Sequence, residues 1–183
     1  MQGKQRCIRQ SDLANDLITY CFEPTLFCLV PQQIKHSFSI TERIRLLLRV
    51  LRGYLVYYQM SGNTMASYCF IKKNYLCKYA FLEKRDVLIN PYYVSADFRG
   101  CGLGGQLIRV AIDDKQTDWN RVFAVVKEDN FPSIRTLDKL GFERIGFSRK
   151  KGWSHKLTAN KTHLLLFSLT RSEGQEKQHD ISD

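Results

Sequence analysis

The sequence predicts an α/β (α+β) fold built on a mixed, mostly antiparallel central sheet flanked by helices, with one parallel strand pair around a βαβ unit. Three observations carry that expectation. YLVYYQM and TMASYCFI flank the short polar stretch SGN, the pattern of an antiparallel hairpin. An apolar run at 86–94, a helix-periodic segment and a second apolar run at 121–126 follow one another, so the two strands they imply should be parallel and joined by a crossover helix. Two more strand-like runs, FERIGFSRK and KTHLLLFSLT, close the chain. At 183 residues the chain can bury one core without disulfides or metal, and it reads as a single domain over 1–170 followed by a disordered polar tail at 171–183.

Taken in order, TLFCLV (25–30) reads as a short strand stopped by Pro31. SITERIRLLLRVLRG sets Ser39 and Glu42 at capping-box spacing, places Ile40, Ile44, Leu47, Leu48 and Leu51 on one face and ends at Gly53, which predicts an amphipathic helix. The hairpin follows, and YLCKYAFL (75–82) is expected to extend its sheet. DVLINPYYV (86–94) is apolar or aromatic on both faces and so reads as a central strand. Its Pro91 has no N–H for a ladder and predicts a bulge or a broken pairing. GLGGQLIRVAIDDKQ carries Leu103, Leu107, Val110 and Ala111 at helical spacing, and RVFAVV (121–126) supplies the second parallel strand. From Asn130 a further helix runs through Ile134, Leu137 and Leu140 to Gly141. The two final strands are joined by a basic loop holding Trp153 and His155.

Composition narrows the function. The six cysteines form no C-x-x-C pair, and the N-terminus lacks an apolar export segment, so a reduced, cytoplasmic protein is expected. His36, His155, His163 and His179 are scattered, and no metal site is expected. No apolar run approaches the roughly 20 residues that span a bilayer. Formal charge is +10, and the tail holds two basic and four acidic residues, leaving +12 on the remainder. That body should attract anions such as a phosphorylated cofactor or substrate. There is no RNP-like aromatic motif, helix-turn-helix signature or long basic block, so neither nucleic acid nor membrane is the expected partner.

The segment DFRGCGLGGQ (97–106) packs Arg99 and four glycines into seven positions at a strand-to-helix junction. Glycines there let backbone N–H groups converge on an anion, and the helix N-terminus adds its positive dipole end. A P-loop would continue G-K-[ST], but Gly105 is followed by Gln106 and Leu107. A dinucleotide fingerprint needs G-x-G-x-x-G early in the chain and an acidic residue about 20 positions on; here the spacing is G-x-G-x-G and position 120 is asparagine. What does match is Arg99-Gly100-Cys101-Gly102-Leu103-Gly104, which resembles the R/Q-x-x-G-x-G/A pyrophosphate motif of the GNAT superfamily of acyl-CoA-dependent N-acyltransferases. The order of elements resembles the family too. Its second signature, N-x-x-[AS] followed by a helix and Gly-Phe, is similar to Asn130, Ser133 and Gly141-Phe142.

The resemblance implies a GNAT-like sheet whose parallel strands splay apart, with acetyl-CoA as cosubstrate and no metal. It implies that backbone N–H groups from Arg99 through Gly100, Cys101, Gly102, Leu103 and Gly104 hold a pyrophosphate, that Tyr92 and Val94 pair with the pantetheine amides, and that Asn130 and Ser133 meet the cofactor from the other side; Asn130 is equally a plain N-cap. The Val94 N–H is the family-like donor for the charge developing on the thioester oxygen. The family's usual tyrosine, which protonates the leaving thiolate, falls on Leu137, so Tyr92 or Tyr93 is the candidate acid. Asn90 stands where some relatives carry a glutamate, Glu83 and Asp86 lie at the far end of the strand, and His155 reads as part of a flexible, solvated loop. The expected reaction is acetylation of a small-molecule amine by direct attack in a ternary complex, by a monomer or homodimer. Arg45, Arg49 and Arg52 on the first helix and Lys150, Lys151 and Lys156 near the last hairpin are compatible with an anionic acceptor. The alternatives are a protein or peptide N-acetyltransferase and a non-catalytic CoA-binding regulatory module.

Overall fold

The computed structural model describes residues 4–10, 17–34, 39–50, 53–73, 79–151 and 154–171. Nine strands form one mixed sheet: β1 (Lys4–Gln10), β2 (Leu17–Glu23), β3 (Tyr54–Ser61), β4 (Thr64–Lys73), β5 (Asp86–Val94), β6 (Arg121–Lys127), β7 (Glu143–Lys151), β8 (Ser154–Thr158) and β9 (Leu164–Thr170), in the spatial order β1-β2-β3-β4-β5-β6-β9-β7-β8. Among the described residues three α-helices accompany them, α1 (Ile40–Val50), α2 (Leu103–Asp113) and α3 (Phe131–Lys139), with a short 3-10 turn at Ala96–Phe98. Every neighbouring pair is antiparallel except β5 and β6, the two strands on either side of α2. No helix among the described residues is long and apolar enough to cross a membrane.

The core divides by sheet face. On one face Leu107, Ile108 and Ala111 of α2 and Leu137 of α3 pack against Tyr57, Cys69, Ile71, Val87, Ile89, Val122 and Ala124. On the other, Leu46 of α1 packs with Tyr54, Val56, Tyr58, Tyr68 and Phe70. The helical periodicity of α2 therefore buries Leu103, Leu107 and Ala111 as expected, with Ile108 and Ile112 rather than Val110 completing the stripe. The α2 C-terminus is closed by neighbours in sequence: Thr117 donates its hydroxyl to the Ala111 carbonyl at 2.8 Å, and Trp119 its indole N–H to the Ile112 carbonyl at 2.8 Å.

Several sequence expectations are corrected. TLFCLV is a tight turn, with Thr25 and Cys28 exchanging backbone hydrogen bonds of 2.9 and 3.1 Å and Leu26 and Phe27 exposed at its tip; the strand of that region is β2, just before Pro24. In YLCKYAFL, residues 75–78 lie outside the described ones, and Tyr79 makes a single bridge to His155 before the chain turns. The last region holds three strands, because SHKLT pairs with β7 and then leads to β9. His155 is consequently buried on β8, its Nδ1 3.1 Å from the Ser148 hydroxyl and its ring 4.9 Å from that of Tyr79, and not in a solvated loop. Trp153 lies outside the described residues. The helix α1 forms, yet it docks through Leu46 and Val50; Ile40, Ile44, Leu47 and Leu48 are 78, 54, 40 and 48% exposed. Leu51, Arg52 and the side chains of Glu42, Arg45 and Arg49 fall outside the description. The polar tail does too from residue 172, while Arg171 is tied to Asn120 by a 3.0 Å backbone bond and lies over Trp119.

Asp86 anchors the base of the parallel pair. Buried to 1% exposure, it accepts from Arg121 Nε at 3.1 Å and Nη2 at 2.8 Å and from the Glu83 N–H at 2.6 Å. The carboxylate raises the Arg121 pKa. Asp86→Asn removes the buried charge partner of Arg121, leaves it only the exposed Glu83 at 3.1 Å, and should lower stability by about 2 kcal/mol, a buried-pair penalty discounted because Arg121 is partly exposed. Urea unfolding of the variant checks this; an unchanged midpoint would remove the pair from the account of the fold.

Candidate functional site

The site begins where β5 and β6 part. Their parallel register runs from Asp86 opposite Arg121 to Ile89 opposite Ala124 and stops there. Against β4, Ile89 faces Ile71 and Tyr92 faces Cys69, so Asn90 and Pro91 share the single residue Phe70 in a bulge. This is the broken pairing that a proline with no N–H predicts in a central strand. Beyond it β6 stays with β9, all the way to Lys127 opposite Leu164, and β5 stays with β4. The Ser95 N–H bonds the Ala66 carbonyl of β4 at 2.8 Å. By the alternation of antiparallel pairing, Tyr92 and Val94 therefore turn their N–H groups the other way, to the edge that β6 has left.

The gap opens into a cleft of about 750 Å³ whose walls are the end of β5, the glycine-rich loop and the first turns of α2 and α3. Gly100 and Gly102 have φ of 81° and 75°, the left-handed region that costs an L side chain about 1–2 kcal/mol, and both have open space where a Cβ would stand. Gly104 is glycine for another reason: a Cβ there would sit 3.3 Å from Val94 Cγ2 and 3.8 Å from the Tyr92 ring. Gly102 caps α2 without any side-chain bond, and the first ladder bond is Gln106 N–H to the Gly102 carbonyl at 3.1 Å. The N–H groups of Leu103, Gly104 and Gly105 thus have no helical acceptor, and the helix begins as an anion cradle.

Sequence-predicted residues gather here. Tyr92, Tyr93, Val94, Arg99, Gly100, Gly102, Leu103, Gly104, Asn130 and Ser133 all line the cleft, while the exposed Cys101 does not. Asn130 caps α3, its Oδ1 accepting from the Ser133 N–H at 3.3 Å, which leaves its amide NH₂ unengaged by that bond. Arg99 folds back, with Nε donating to the Val94 carbonyl at 3.2 Å and the guanidinium 5.9 Å from the Tyr93 ring centre. The two tyrosines alternate across the strand: Tyr92 packs with the α2 and α3 cluster, and Tyr93, 43% exposed, stacks on Tyr68 of the other face at 5.5 Å. Burial raises the Tyr92 pKa, Ser133 drawing it partly back, and the hydroxyl is buried with no hydrogen bond of normal geometry.

Other candidates do not arrive. Leu137 is fully buried in the core. Asp86 is held by Arg121, and neither Glu83, Asn90 nor His155 lines the cleft. Sequence reading missed Phe98, Arg135, Thr136 and Lys139, which do line it. The i, i+4 spacing of Arg135 and Lys139, counted from the Asn130 cap, was the available signal. Among the described lining residues there is no Asp, Glu or His, so the cleft is electropositive and lacks an evident proton acceptor.

The acetyltransferase (GNAT) family pattern matches residues 16–142, more than half of the chain. No curated protein matches the sequence. Among solved structures the fold is similar to a ribosomal-protein-S5-alanine acetyltransferase from Vibrio fischeri, at 16% identity and TM-score 0.57 over 85% of this chain and 94% of that one. It is similar to the ribosomal-protein-S18-alanine N-acetyltransferase from Escherichia coli, at 16% and 0.55 over 83% and 93%. A GNAT family acetyltransferase from Elizabethkingia anophelis with acetyl-CoA bound resembles it at 11% and 0.54 over 86% and 99%.

The loop geometry predicts unequal costs for its glycines. Gly102→Ala should stay folded but lose about 1 kcal/mol through its left-handed φ. A denaturation curve indistinguishable from the wild type would show that the loop does not hold this conformation.

Proposed function

The chain belongs to the acetyltransferase (GNAT) family, and we propose that its single domain, residues 1–170, moves an acetyl group from acetyl-CoA to the amine of a small-molecule acceptor by direct attack in a ternary complex. One observation carries the reading: the uncapped, glycine-rich start of α2 faces the gap left by β5 and β6. An anion cradle beside an unpaired strand edge fits a ligand with a pyrophosphate at one end and amides along its arm.

In this reading the N–H groups from Arg99 to Gly104 hold the pyrophosphate, and Tyr92 and Val94 pair with the amide arm. Asn130 and Ser133 approach from α3, and Arg135 and Lys139 add positive charge on the same wall. When bound, acetyl-CoA supplies the activated thioester. The Val94 N–H supports the carbonyl oxygen as charge develops there. Tyr92 donates a proton to the leaving sulfur: it lines the cleft, its buried hydroxyl has no hydrogen-bond partner of normal geometry, and its raised pKa keeps it protonated through neutral pH. Tyr93 points to the opposite face and is left for the acceptor. With no Asp, Glu or His among the described lining residues, solvent takes the proton of the attacking amine.

A non-catalytic CoA-binding module is the second reading. The buried Leu137, at the position of the family's usual acid, supports it, as does the same missing base. A protein or peptide amine remains the alternative acceptor, the kind acted on by the two ribosomal-protein acetyltransferases of similar fold.

Calorimetric titration of acetyl-CoA should give roughly micromolar affinity, lost in Gly102→Val; no binding by the folded wild type would sink the reading. For Tyr92→Phe, kcat should fall about 100-fold with acetyl-CoA affinity kept. In the wild type, activity carried by protonated Tyr92 is full below its raised pKa and declines as pH rises through it. That alkaline limb should vanish in Tyr92→Phe, and its persistence would assign the proton to another group.

A further inference from the structure

Four tyrosines run in register across the face of the sheet opposite α2 and α3. Tyr20 of β2 stands opposite Tyr58 of β3, Tyr58 opposite Tyr68 of β4, and Tyr68 opposite Tyr93 of β5. The rings of Tyr20 and Tyr58 stack at 5.3 Å and 23°, those of Tyr68 and Tyr93 at 5.5 Å and 30°. Cross-strand aromatic pairs stabilise sheets, and for the buried members that role is sufficient. Two observations exceed it. The row does not end in the core: Tyr93 is 43% exposed and lines the cleft. Tyr58, fully buried, keeps a hydroxyl without any hydrogen-bond partner, where phenylalanine, as at the neighbouring Phe70, would pack at no polar cost.

We propose that the Tyr93 end of this row is the docking platform for the acceptor, and that the acceptor is a primary amine carried on an aromatic ring. The proposal rests on the acetyl-transfer reading above and names its missing substrate. Alternation along β5 puts Tyr92 on the side of the anion cradle and Tyr93 on the other, so an acceptor meets the thioester across the strand from the cofactor's phosphates. The exposed group it meets there is aromatic: Tyr93, 43% exposed and backed by the buried ring of Tyr68. The Tyr93 ring already has a planar group near it, the Arg99 guanidinium. Stacked rings recognise a flat apolar body and hold an amine at its margin. In the reaction the amine nitrogen forms a bond to the thioester carbon, the carbon–sulfur bond breaks, the nitrogen loses a proton to solvent, and the sulfur leaves as the protonated thiol.

The test is a product assay by mass on the full chain with acetyl-CoA and a panel of phenethylamine, tyramine, butylamine, putrescine, glucosamine and a short peptide. The aryl amines should show kcat/KM at least about tenfold above the straight-chain and sugar amines. Tyr93→Ala should erase that preference through the amine KM, and Tyr93→Phe should retain it. Equal or better use of butylamine, putrescine, glucosamine or the peptide overturns the proposal, as does a preference untouched in Tyr93→Ala. Calorimetry separates the two levels. If nothing is acetylated, the transfer reading fails, and phenethylamine binding to the CoA-saturated protein then decides the platform alone: binding weakened about tenfold by Tyr93→Ala upholds it, and no binding overturns it.

Discussion

Everything at the site depends on one interruption of hydrogen bonding, the point after Ile89 and Ala124 where β5 and β6 cease to pair. A parallel pair in the middle of a sheet is normally closed along its length, because each buried N–H and C=O needs a partner. Here Pro91 has no N–H to give, and the bulge it shares with Asn90 commits the rest of β5 to β4. β6, paired in full with β9, follows the other half of the sheet. Tyr92 and Val94 are left with an open edge inside the molecule. Such an edge asks for a ligand that brings its own amides.

The anion cradle and this edge belong to one construction. Four glycines serve two geometric needs: Gly100 and Gly102 reach left-handed φ, and Gly104 and Gly105 let α2 start close to Val94 and Thr136. The tight start aims unbonded N–H groups of α2 at the mouth of the gap. Arg135 and Lys139 on α3 continue the positive field, so the chain's net charge of +10 has a local expression beside the unbonded N–H groups at the start of α2. At the opposite end of the parallel pair, the Asp86 and Arg121 ion pair keeps the two strands together where the core needs them together.

Strand alternation then divides the chemistry between two faces. Tyr92 and Tyr93 are neighbours in sequence and lie in different clusters, one with the helices of the cofactor side, the other at the end of a tyrosine row. In the proposed reaction, leaving-group protonation and acceptor recognition fall to adjacent residues that do not compete for space. The electropositive cleft and the tyrosine row are separated by a single strand.

The glycine motif, the central strand broken at Pro91, the βαβ order and the Asn130 cap were legible from sequence, because each is a local property: a φ that only glycine tolerates, a missing N–H, a period of apolar residues, a cap within one turn. That is why the acetyltransferase resemblance and most of the cleft-lining residues could be named from the chain alone. Contacts among distant residues could not. Which face of α1 meets the sheet was set by Leu46 and Val50 reaching the tyrosine cluster, against the stripe of Ile40, Ile44, Leu47 and Leu48 that periodicity favours. His155 reads as loop in RKKGWSHK and is buried because β8 pairs with β7 and brings it under Tyr79. The register that lines up Tyr20, Tyr58, Tyr68 and Tyr93 exists only once four strands have paired, since a slip of one residue in any of them would scatter the rings to opposite faces.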